Sequence, residues 1–393
     1  MPATTMERAA PTTYMQGIAV PQSSVNPTEF FARTRRHINT EKVIAYAGQS
    51  QDVVELRKSD ILSGILIRLK GQIVITIPSG TASATARWPY DFLRGVAFTA
   101  NGVSNLINVS GLKLKVRDVM KKADLTDRGV TQTFGGVARN QGTLARSCES
   151  WGVGSLTNLT AGTYDVELEW YVPVSEDEFD LTGAIFLATS SSDLTLRLDY
   201  ESMSNLFALT GGATAAWTAA TTIQVASVKF SIPIGGDGQI VVPDLSVFHS
   251  LIQTRVTGIQ NGENEIRLVG QGAGKSLLRL FHQVYNGAGN AAAPLSMNNT
   301  NFGRLQWRYA NNETPDEFLD GSHMRCDMER RYNSDVGLLW GVGCHDFVHE
   351  NAFRDVVDMG TTSELRFVMN IQSGVTLTSA ATEYVTETVF RAD

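Results

Sequence analysis

Residues Tyr164 to Val172 alternate apolar and polar side chains without a break, and this stretch most constrains the fold. Successive side chains of an extended chain point to opposite faces, so strict alternation predicts a strand with one buried face. Pro173 follows directly and cannot donate a sheet hydrogen bond, which ends the strand. Ser175 and Glu178 have the spacing of a capping box, which predicts a short helical turn after the strand.

Further segments with one apolar face occur on both sides of this strand. They are residues 65–77, 194–200, 228–234, 305–309, 336–344 and 365–371. Apolar residues make up 42% of the chain and charged residues 19%, which is the balance of a globular protein with a substantial core. We therefore predict an all-β fold.

The length of 393 residues exceeds the roughly 100–200 residues of one domain, so two domains are expected. The acidic segment between Pro173 and Asp180 interrupts the strand pattern near the middle of the chain. We place the boundary there. The predicted units are an N-terminal arm with a short helix at 1–40, a first β domain at 41–175 and a second at 176–393.

The N-terminal region combines an irregular arm with one helix signal. Residues 1–25 have no periodicity, whereas Asn26, Pro27 and Glu29 have the order of a helix cap, first turn and capping box. The predicted helix carries two aromatic residues and then clustered cations, namely Phe30, Phe31, Arg33, Arg35 and Arg36, before His37. Such a pattern suits anionic lipid headgroups or nucleic acid, but also a helix end whose cations complement the helix dipole.

Two more helices are predicted from local signals. Residues 116–123 change from period two to helical spacing among cationic neighbours. Thr314 to Glu317 forms a second capping box with proline at the first helical position. We expect that helix to run through Leu319 towards Arg330 and Arg331.

Charge and cysteine content narrow the function classes. A net charge of −7 gives no overall positive field to collect phosphates, so no specific nucleic acid partner is expected. The three cysteines are too few and too odd in number for a disulfide framework, and the N-terminal residues do not have the cationic region and apolar core of a signal peptide. We expect folding in a reducing cytoplasm, and no apolar run is long enough to span a bilayer.

Three motifs suggest chemistry, and each has a plainer explanation. The segment from Gly270 to Ser276 resembles a phosphate-binding loop, but Val269 stands where the first glycine belongs and a strand follows. Cys344, His345 and His349 are possible metal ligands. Cys344 and His345 are adjacent in a predicted strand, however, so Cys344 would enter the core while His345 faces away, and the two could not bind one ion. Asp165, Glu167 and Glu169 share one strand face, which is more often a solvated or subunit-facing surface than a glycosidase pair.

No Gly-x-Ser-x-Gly elbow is present either. No catalytic, cofactor-binding or metal-binding residues are predicted, and the protein is not expected to be an enzyme.

Several segments carry a resemblance to a known family. The pattern from Trp170 to Val174, followed by Asp180 to Ala184 and Leu194 to Tyr200, is similar to the inter-domain junction of the major capsid proteins of tectiviruses. The likeness continues through residues 242–246, 277–285, Arg330-Arg331 and 344–346. This family consists of double jelly-roll proteins from icosahedral bacteriophages, of the adenovirus-hexon-like lineage.

The resemblance implies two eight-stranded jelly-roll β-sandwiches in tandem. It also implies a homotrimer of pseudo-hexagonal outline that tiles an icosahedral shell over an internal membrane. The partners would be further copies of the chain and other capsid, vertex and membrane proteins of the virion, with assembly in the host cytoplasm. The N-terminal helix would face inwards and contact lipid headgroups or neighbouring trimers.

Two other classes remain open at the level of sequence. A viral spike or minor coat protein could use the same strands for host attachment. A carbohydrate-binding or carbohydrate-active β-sandwich would need exposed aromatic platforms and a carboxylate pair that faces a cleft.

Overall fold

The computed structural model describes residues 14–15, 18–19, 27–100, 103–121, 131–134, 137–140, 149, 158–187, 193–234, 242–243, 245–268, 274–289, 292–308, 317–332, 337, 340–348, 356–359 and 365–391. Most of the predicted arm therefore lies outside the described residues. Within it, β1 (Tyr14–Met15) and β2 (Ile18–Ala19) form one antiparallel pair. The predicted N-terminal helix is present as α1 (Pro27–Arg33).

Residues 36–230 form the first of two jelly rolls. In chain order its elements are β3 (Arg36–Ala45), β4 (Gln51–Glu55), β5 (Ile61–Thr76), β6 (Ala82–Ala84), a 3-10 turn (Tyr90–Phe92), β7 (Leu93–Ala100), β8 (Val103–Val109), α2 (Gly111–Lys121), β9 (Thr131–Phe134), β10 (Val137–Asn140), β11 (Gly162–Pro173), β12 (Ile185–Phe186), β13 (Leu194–Tyr200), α3 (Met203–Leu206), β14 (Phe207–Leu209), β15 (Thr214–Trp217) and β16 (Thr222–Phe230).

Eight of these strands make two four-stranded sheets. One sheet has the order β3-β16-β5-β11, and the other has the order β4-β13-β7-β8. Strands that are distant in sequence lie next to one another in both sheets, as two Greek keys require. The strand that the alternation predicted is β11, and its partner is β5, with Val166 opposite Gly71.

Residues 247–391 repeat this arrangement. The elements are β17 (Val247–Thr257), β18 (Gly262–Arg267), β19 (Lys275–Asn286), β20 (Ala293–Pro294), β21 (Phe302–Arg308), β22 (Glu317–Phe318), α4 (Gly321–Tyr332), β23 (Val342–Asp346), β24 (Val357–Asp358), β25 (Arg366–Ile371) and β26 (Ala381–Arg391). The four-stranded orders are β17-β26-β19-β23 and β18-β25-β21-β22. The prediction of two eight-stranded jelly rolls with short helices in loops is confirmed.

The predicted domain limits are not where the strand pairing changes. Strands β13 and β16 follow Ser175 in sequence, yet they pair with β7, β4, β3 and β5 of the first roll. The first roll therefore needs residues up to Phe230, and the limit at 40/41 cuts through β3. Pro173 does end β11, but the chain returns through β12 to pair with β5 instead of starting a new domain.

The two rolls also share one sheet edge. Strand β17 pairs in parallel with β8, with Leu251 opposite Ile107, so a sheet of the first roll continues into a sheet of the second. Side chains from both rolls form one large apolar cluster, in which Ile67, Phe98, Phe281 and Phe367 are at most 1% exposed. We infer that the domain boundary lies between Phe230 and Val247.

The helices differ in detail from the sequence prediction. The helix predicted at 116–123 is present as α2 but begins five residues earlier, at Gly111. The helix predicted from Thr314 begins at Gly321, because Glu317 and Phe318 pair with β21 as strand β22. Thr314 itself lies outside the described residues. Ser175 and Glu176 form a bend and residues 178–180 form a turn, so the predicted capping box does not open a helix.

Part of the predicted strand at 336–344 is also different. Gly337 and Trp340 have helical backbone, and the strand β23 starts only at Val342. Gly341 has a φ of 64°, a left-handed value that glycine adopts without strain. This turn separates the helical residues from the strand, which alternation alone did not reveal.

Candidate assembly surfaces

Helix α2 belongs to the first roll but lies against the second. It connects β8 to β11, and every residue from Gly111 to Met120 is buried. Its apolar side chains, among them Leu114 and Val116, join the core. Its cations reach the outer face of the β17-β26-β19-β23 sheet, where Lys113 meets Glu383 and Arg117 meets Glu387. The helix therefore joins the two rolls.

Glu387 is the centre of a buried charge cluster at this junction. Its carboxylate accepts from Arg117 Nη2 at 2.7 Å and from Arg279 Nη1 at 3.1 Å. Burial opposes its ionisation, but the two guanidinium groups hold the pKa of Glu387 well below its usual range. Glu176 accepts from Arg279 at 2.9 Å and pairs with Lys121. The acidic segment predicted as the domain boundary thus contributes to the contact between the rolls.

Two further groups complete the cluster. Asp346 pairs with Arg279 Nε at 3.0 Å, so three carboxylates face three cations. His249 contacts Glu387 through Nε2 at 3.0 Å and the Pro173 carbonyl through Nδ1 at 2.9 Å. Charges this deep are tolerated only when they are paired and hydrogen-bonded, and two of these pairs, Arg117–Glu387 and Glu176–Arg279, cross from one roll to the other.

The equivalent outer face of the first roll is open. On the β3-β16-β5-β11 sheet it presents polar side chains, and we call this set the open face: Arg68, Lys70, Gln72, Asp165, Glu167 and Gln224. Arg68 pairs with Glu167, and Gln72 donates to Asp165 at 2.8 Å. Asp165 and Glu167 of the predicted carboxylate row therefore have cross-strand partners on the surface of the sheet. Within the described part of the chain, no helix covers this face as α2 covers its counterpart.

Helix α4 is the counterpart of α2 in the second roll, since both connect the fifth strand of an eight-stranded roll to the sixth. One stripe of α4 is buried, including Met324 and Met328. The opposite stripe, His323, Cys326 and Arg330, is exposed. The spacing of three and four residues puts these side chains on one helix face. α4 thus has an exposed surface, whereas the equivalent surface of α2 is buried against the second roll.

The predicted inner-face residues divide into buried and exposed groups. Phe30 is fully buried with Ile61, Leu181 and Phe230, so it is a core residue and cannot contact an external surface in this chain. Phe31 is half-buried beside it.

The arginines of this region are all exposed. Arg33 pairs with Glu29 at 3.0 Å, Arg36 starts β3 and pairs with Glu178 at 2.8 Å, and Arg35 lies between them. Because two of the three cations have acidic partners, the local positive field is weaker than the sequence indicated.

A cavity of about 710 Å³ opens next to α1. Aromatic side chains line it, namely Phe31, Tyr171, Phe179 and Phe230, together with paired charges of α2 and of the segment after Pro173. Phe179 at its rim is 84% exposed, more than any other large apolar side chain among the described residues. The cavity therefore combines an apolar wall with an unusually exposed aromatic ring.

The other motifs do not assemble into a reactive site. Lys275 begins β19, so a strand follows the glycine-rich loop as predicted, while residues 270–273 lie outside the described part. No group of three or more metal-ligating side chains occurs among the described residues, and His349 lies outside them. No helix in the described part is both long and apolar enough to cross a membrane.

His345 was expected to face away from the core and instead lies inside the second roll. It stacks on Trp307 at 5.5 Å between ring centres, while His282 lies 4.5 Å from Phe367. All four imidazole nitrogens are buried without a hydrogen-bond partner among the described residues. Burial lowers the pKa of His282 well below its ordinary value and that of His345 to about 3. Both rings are therefore neutral core residues.

The sequence analysis did not anticipate the contacts of Lys113, Arg117 and Glu387. One signal was available, because cations alternate with apolar residues from Leu112 to Arg117, in the first half of α2. Phe179 was missed because a single aromatic residue in an acidic loop has no periodicity.

Solved structures of viral capsids have this architecture. The atomic structure of Sulfolobus turreted icosahedral virus matches with a TM-score of 0.63 at 12% identity, covering 91% of this chain and 91% of that one. The major capsid protein P2 of bacteriophage PM2 gives 0.52 at 12% identity, covering 91% and 98%. The capsid of PBCV-1 gives 0.56 at 11% identity, covering 95% and 96%. The fold is that of the double jelly-roll capsid proteins.

The sequence itself identifies the family. The profile described as the N-terminal domain of the P3 major capsid protein matches residues 17–232, which is more than half of the chain. The chain belongs to this family of phage major capsid proteins. The match ends two residues after β16, in agreement with a first roll that extends to Phe230. Comparison with curated protein sequences gives no match.

Proposed function

We propose that three copies of the chain close into a ring of six jelly rolls, the building block of an icosahedral shell. The observation that carries this proposal is the asymmetry between the rolls. The sheet of the second roll is covered by α2, whereas the equivalent open face of the first roll is uncovered. Helix α4 has an exposed stripe that no neighbour uses in the described chain.

The intramolecular contact is the template for the contact between copies. α2 of the first roll packs on the second roll, so α4 of the second roll would pack on the first roll of the next copy. Such a contact joins two different surfaces and closes into a ring when the rotation per copy divides the circle. In this contact, carboxylates of the open face would pair with Arg330 of α4. Glu383 and Glu387 of the second roll pair with cations of α2 in the same way.

The test is the oligomeric state of the purified protein. We expect light scattering to give three times the chain mass. Gln224→Arg places a long cation in the open face, and Arg330→Glu reverses the exposed charge of α4, so either change should give single chains. Ala208→Arg, on exposed β14, is the matched control and should keep the trimer.

Cys326 supplies a second measurement on the same surface. It is exposed on α4, so a maleimide should label it rapidly in single chains and slowly in the trimer. Cys326→Ser gives the background from other thiols. A wild-type protein that remains a single chain, or a trimer that labels as fast as the Gln224→Arg variant, would remove the basis for the ring.

The virion we propose is tectivirus-like, with a bilayer beneath the shell. The junction around Trp170 to Ala184 supports this assignment. The surface around α1, with Arg33, Arg35 and Arg36 exposed, supports an inner position against anionic headgroups. Cations near such a surface contribute about 1 kcal/mol each. Phe30 has no part in this contact because it is buried.

Vesicle flotation tests the lipid contact. Wild-type protein should float with vesicles that contain anionic lipid and not with neutral ones. The triple variant with Arg33, Arg35 and Arg36 changed to glutamine should stay at the bottom. If wild type and variant float equally, or neither floats, the α1 surface faces neighbouring capsomers and not lipid.

The role proposed for the chain is structural and not catalytic, with folding and assembly in the host cytoplasm. The paired carboxylates of the open face and the neutral histidines of the core support this view, since all have structural partners or packing roles.

A further inference from the structure

The cavity beside α1 has features that the capsomer ring does not explain. Its volume of about 710 Å³ lies in the range of sites that hold a ligand or several side chains. It is lined by Phe31, Tyr171 and Phe230, and none of these residues belongs to the open face or to α4.

The charges around the cavity are already compensated. Glu178 accepts from Arg36 at 2.8 Å and from the Tyr171 hydroxyl at 3.0 Å, and Glu176 pairs with Lys121. A strongly charged ligand would have to break these pairs. The unsatisfied element is apolar, since Phe179 keeps most of its ring in water, which is unfavourable for a large aromatic group. The occupant should be nearly neutral and carry apolar side chains.

The N-terminal arm has this composition and the right point of attachment. Residues 1–26 contain one acidic residue, Glu7, and one basic residue, Arg8, with Met6, Tyr14 and Ile18 among the apolar ones. α1 begins at Pro27, and Phe31 of the same helix is part of the cavity wall. Four residues of helix span about 6 Å, so the arm starts close to the opening. Its attachment gives it a high effective concentration there.

We propose that residues 1–26 dock into this cavity in their own chain and cover Phe179. The arm would then be a built-in ligand of the junction between the rolls, bound through apolar side chains. This interaction uses no residue of the open face or of the exposed stripe of α4, whereas Arg36 lines the cavity and also belongs to the surface proposed for lipid.

A peptide with the sequence of residues 1–26 is the probe. It should bind to a protein that lacks these residues, measured by fluorescence anisotropy, and it should protect residues 175–187 in hydrogen exchange. Phe179→Ser should weaken binding about tenfold, because burial of an aromatic ring is worth at least that factor. Leu319→Ser removes another exposed apolar side chain, away from the cavity, and should leave binding unchanged.

The full-length protein separates docking in the same chain from docking between chains. Its cavity should already be filled, so it should bind the peptide far more weakly than the shortened protein does. Equal binding by both proteins, equal binding of a scrambled peptide, or binding that is insensitive to Phe179→Ser would each overturn the proposal. Since Phe179 is exposed, its replacement leaves the fold intact, and a lack of effect is informative.

Discussion

His282 and His345 give the second roll a defined sensitivity to acid. Both are neutral in the folded protein and have depressed pKa values because burial penalises the charged ring. In the unfolded chain they titrate near 6.5, so below about 6.5 the unfolded state binds more protons, for His345 down to about 3. Stability is therefore fully present above 6.5 and is lost as the pH falls, by up to about 1.4 kcal/mol per pH unit for each ring.

We expect His345→Leu to flatten this dependence. Urea unfolding at several pH values between 4.5 and 7 should give a slope smaller by up to about 1.4 kcal/mol per pH unit. Leu319→Ala, at an exposed position before α4, changes no titratable group and should keep the wild-type slope. An unchanged slope in His345→Leu would mean that the ring is charged in the folded protein.

Glu387 illustrates the difference between a buried and an exposed carboxylate. Glu387→Gln leaves Arg117 and Arg279 without their shared partner, so we expect a loss of about 3–5 kcal/mol in the free energy of unfolding. Glu167→Gln breaks the pair with Arg68 on the open face, where water screens the charges, and should cost less than about 1 kcal/mol. Denaturant titration distinguishes the two, and similar losses would contradict the assignment of Glu387 as the centre of the cluster.

Among the elements, α2 depends for its position on the close contact of its first residue, Gly111, with Tyr90 and Trp170. A Cβ on Gly111 would overlap the carbonyl oxygen of Tyr90 and lie 2.7 Å from Trp170 Nε1. Gly111→Ala should therefore displace the start of α2 and destabilise the protein by about 2 kcal/mol or more, although alanine is the better helix former. Gly374→Ala has open space around it and should be neutral. Thermal unfolding of both variants tests this contrast, and a neutral Gly111→Ala would show that α2 can shift without loss.

The strands were predictable because they leave a local record in the sequence. Val166 and Leu168 alternate with exposed or half-buried neighbours, and the alternation identifies β11 without any knowledge of its partner. The partner is not encoded locally, since Leu168 pairs with Leu69 across almost a hundred residues. The domain limit was misplaced for this reason. A proline and an acidic loop mark the end of a strand, but only long-range pairing shows which sheet the next strand joins.

The junction between the rolls was predictable only in part. The cations of α2 are visible in the sequence, but their partners Glu383 and Glu387 lie some 270 residues away. Phe30 and Phe31 are adjacent and chemically identical, yet one is fully buried and the other lines a cavity. Exposure of this kind is a property of the packed chain, so the inner-face residues could not be ranked beforehand.

At the scale of the whole molecule, the two rolls should unfold together. α2 is buried between the two rolls, and β8 of the first roll pairs with β17 of the second. Neither roll can therefore open without exposing the core or the charges of the other. We expect calorimetry to give a single transition, with Glu387→Gln lowering it without splitting it. Two separate transitions in the wild-type protein would contradict a shared core.

The position of α2 has a kinetic consequence for shell construction. In the proposed ring, three of the six contacts between neighbouring jelly rolls form within single chains, so dilution does not weaken them. Only three molecules must then meet to make a six-cornered tile. At equilibrium, the concentration of tiles rises with the third power of the concentration of free chains, whereas tiles of six separate rolls would rise with the sixth power. Because α2 docks on the second roll when the chain folds, half of the contacts in each tile form without any association between molecules.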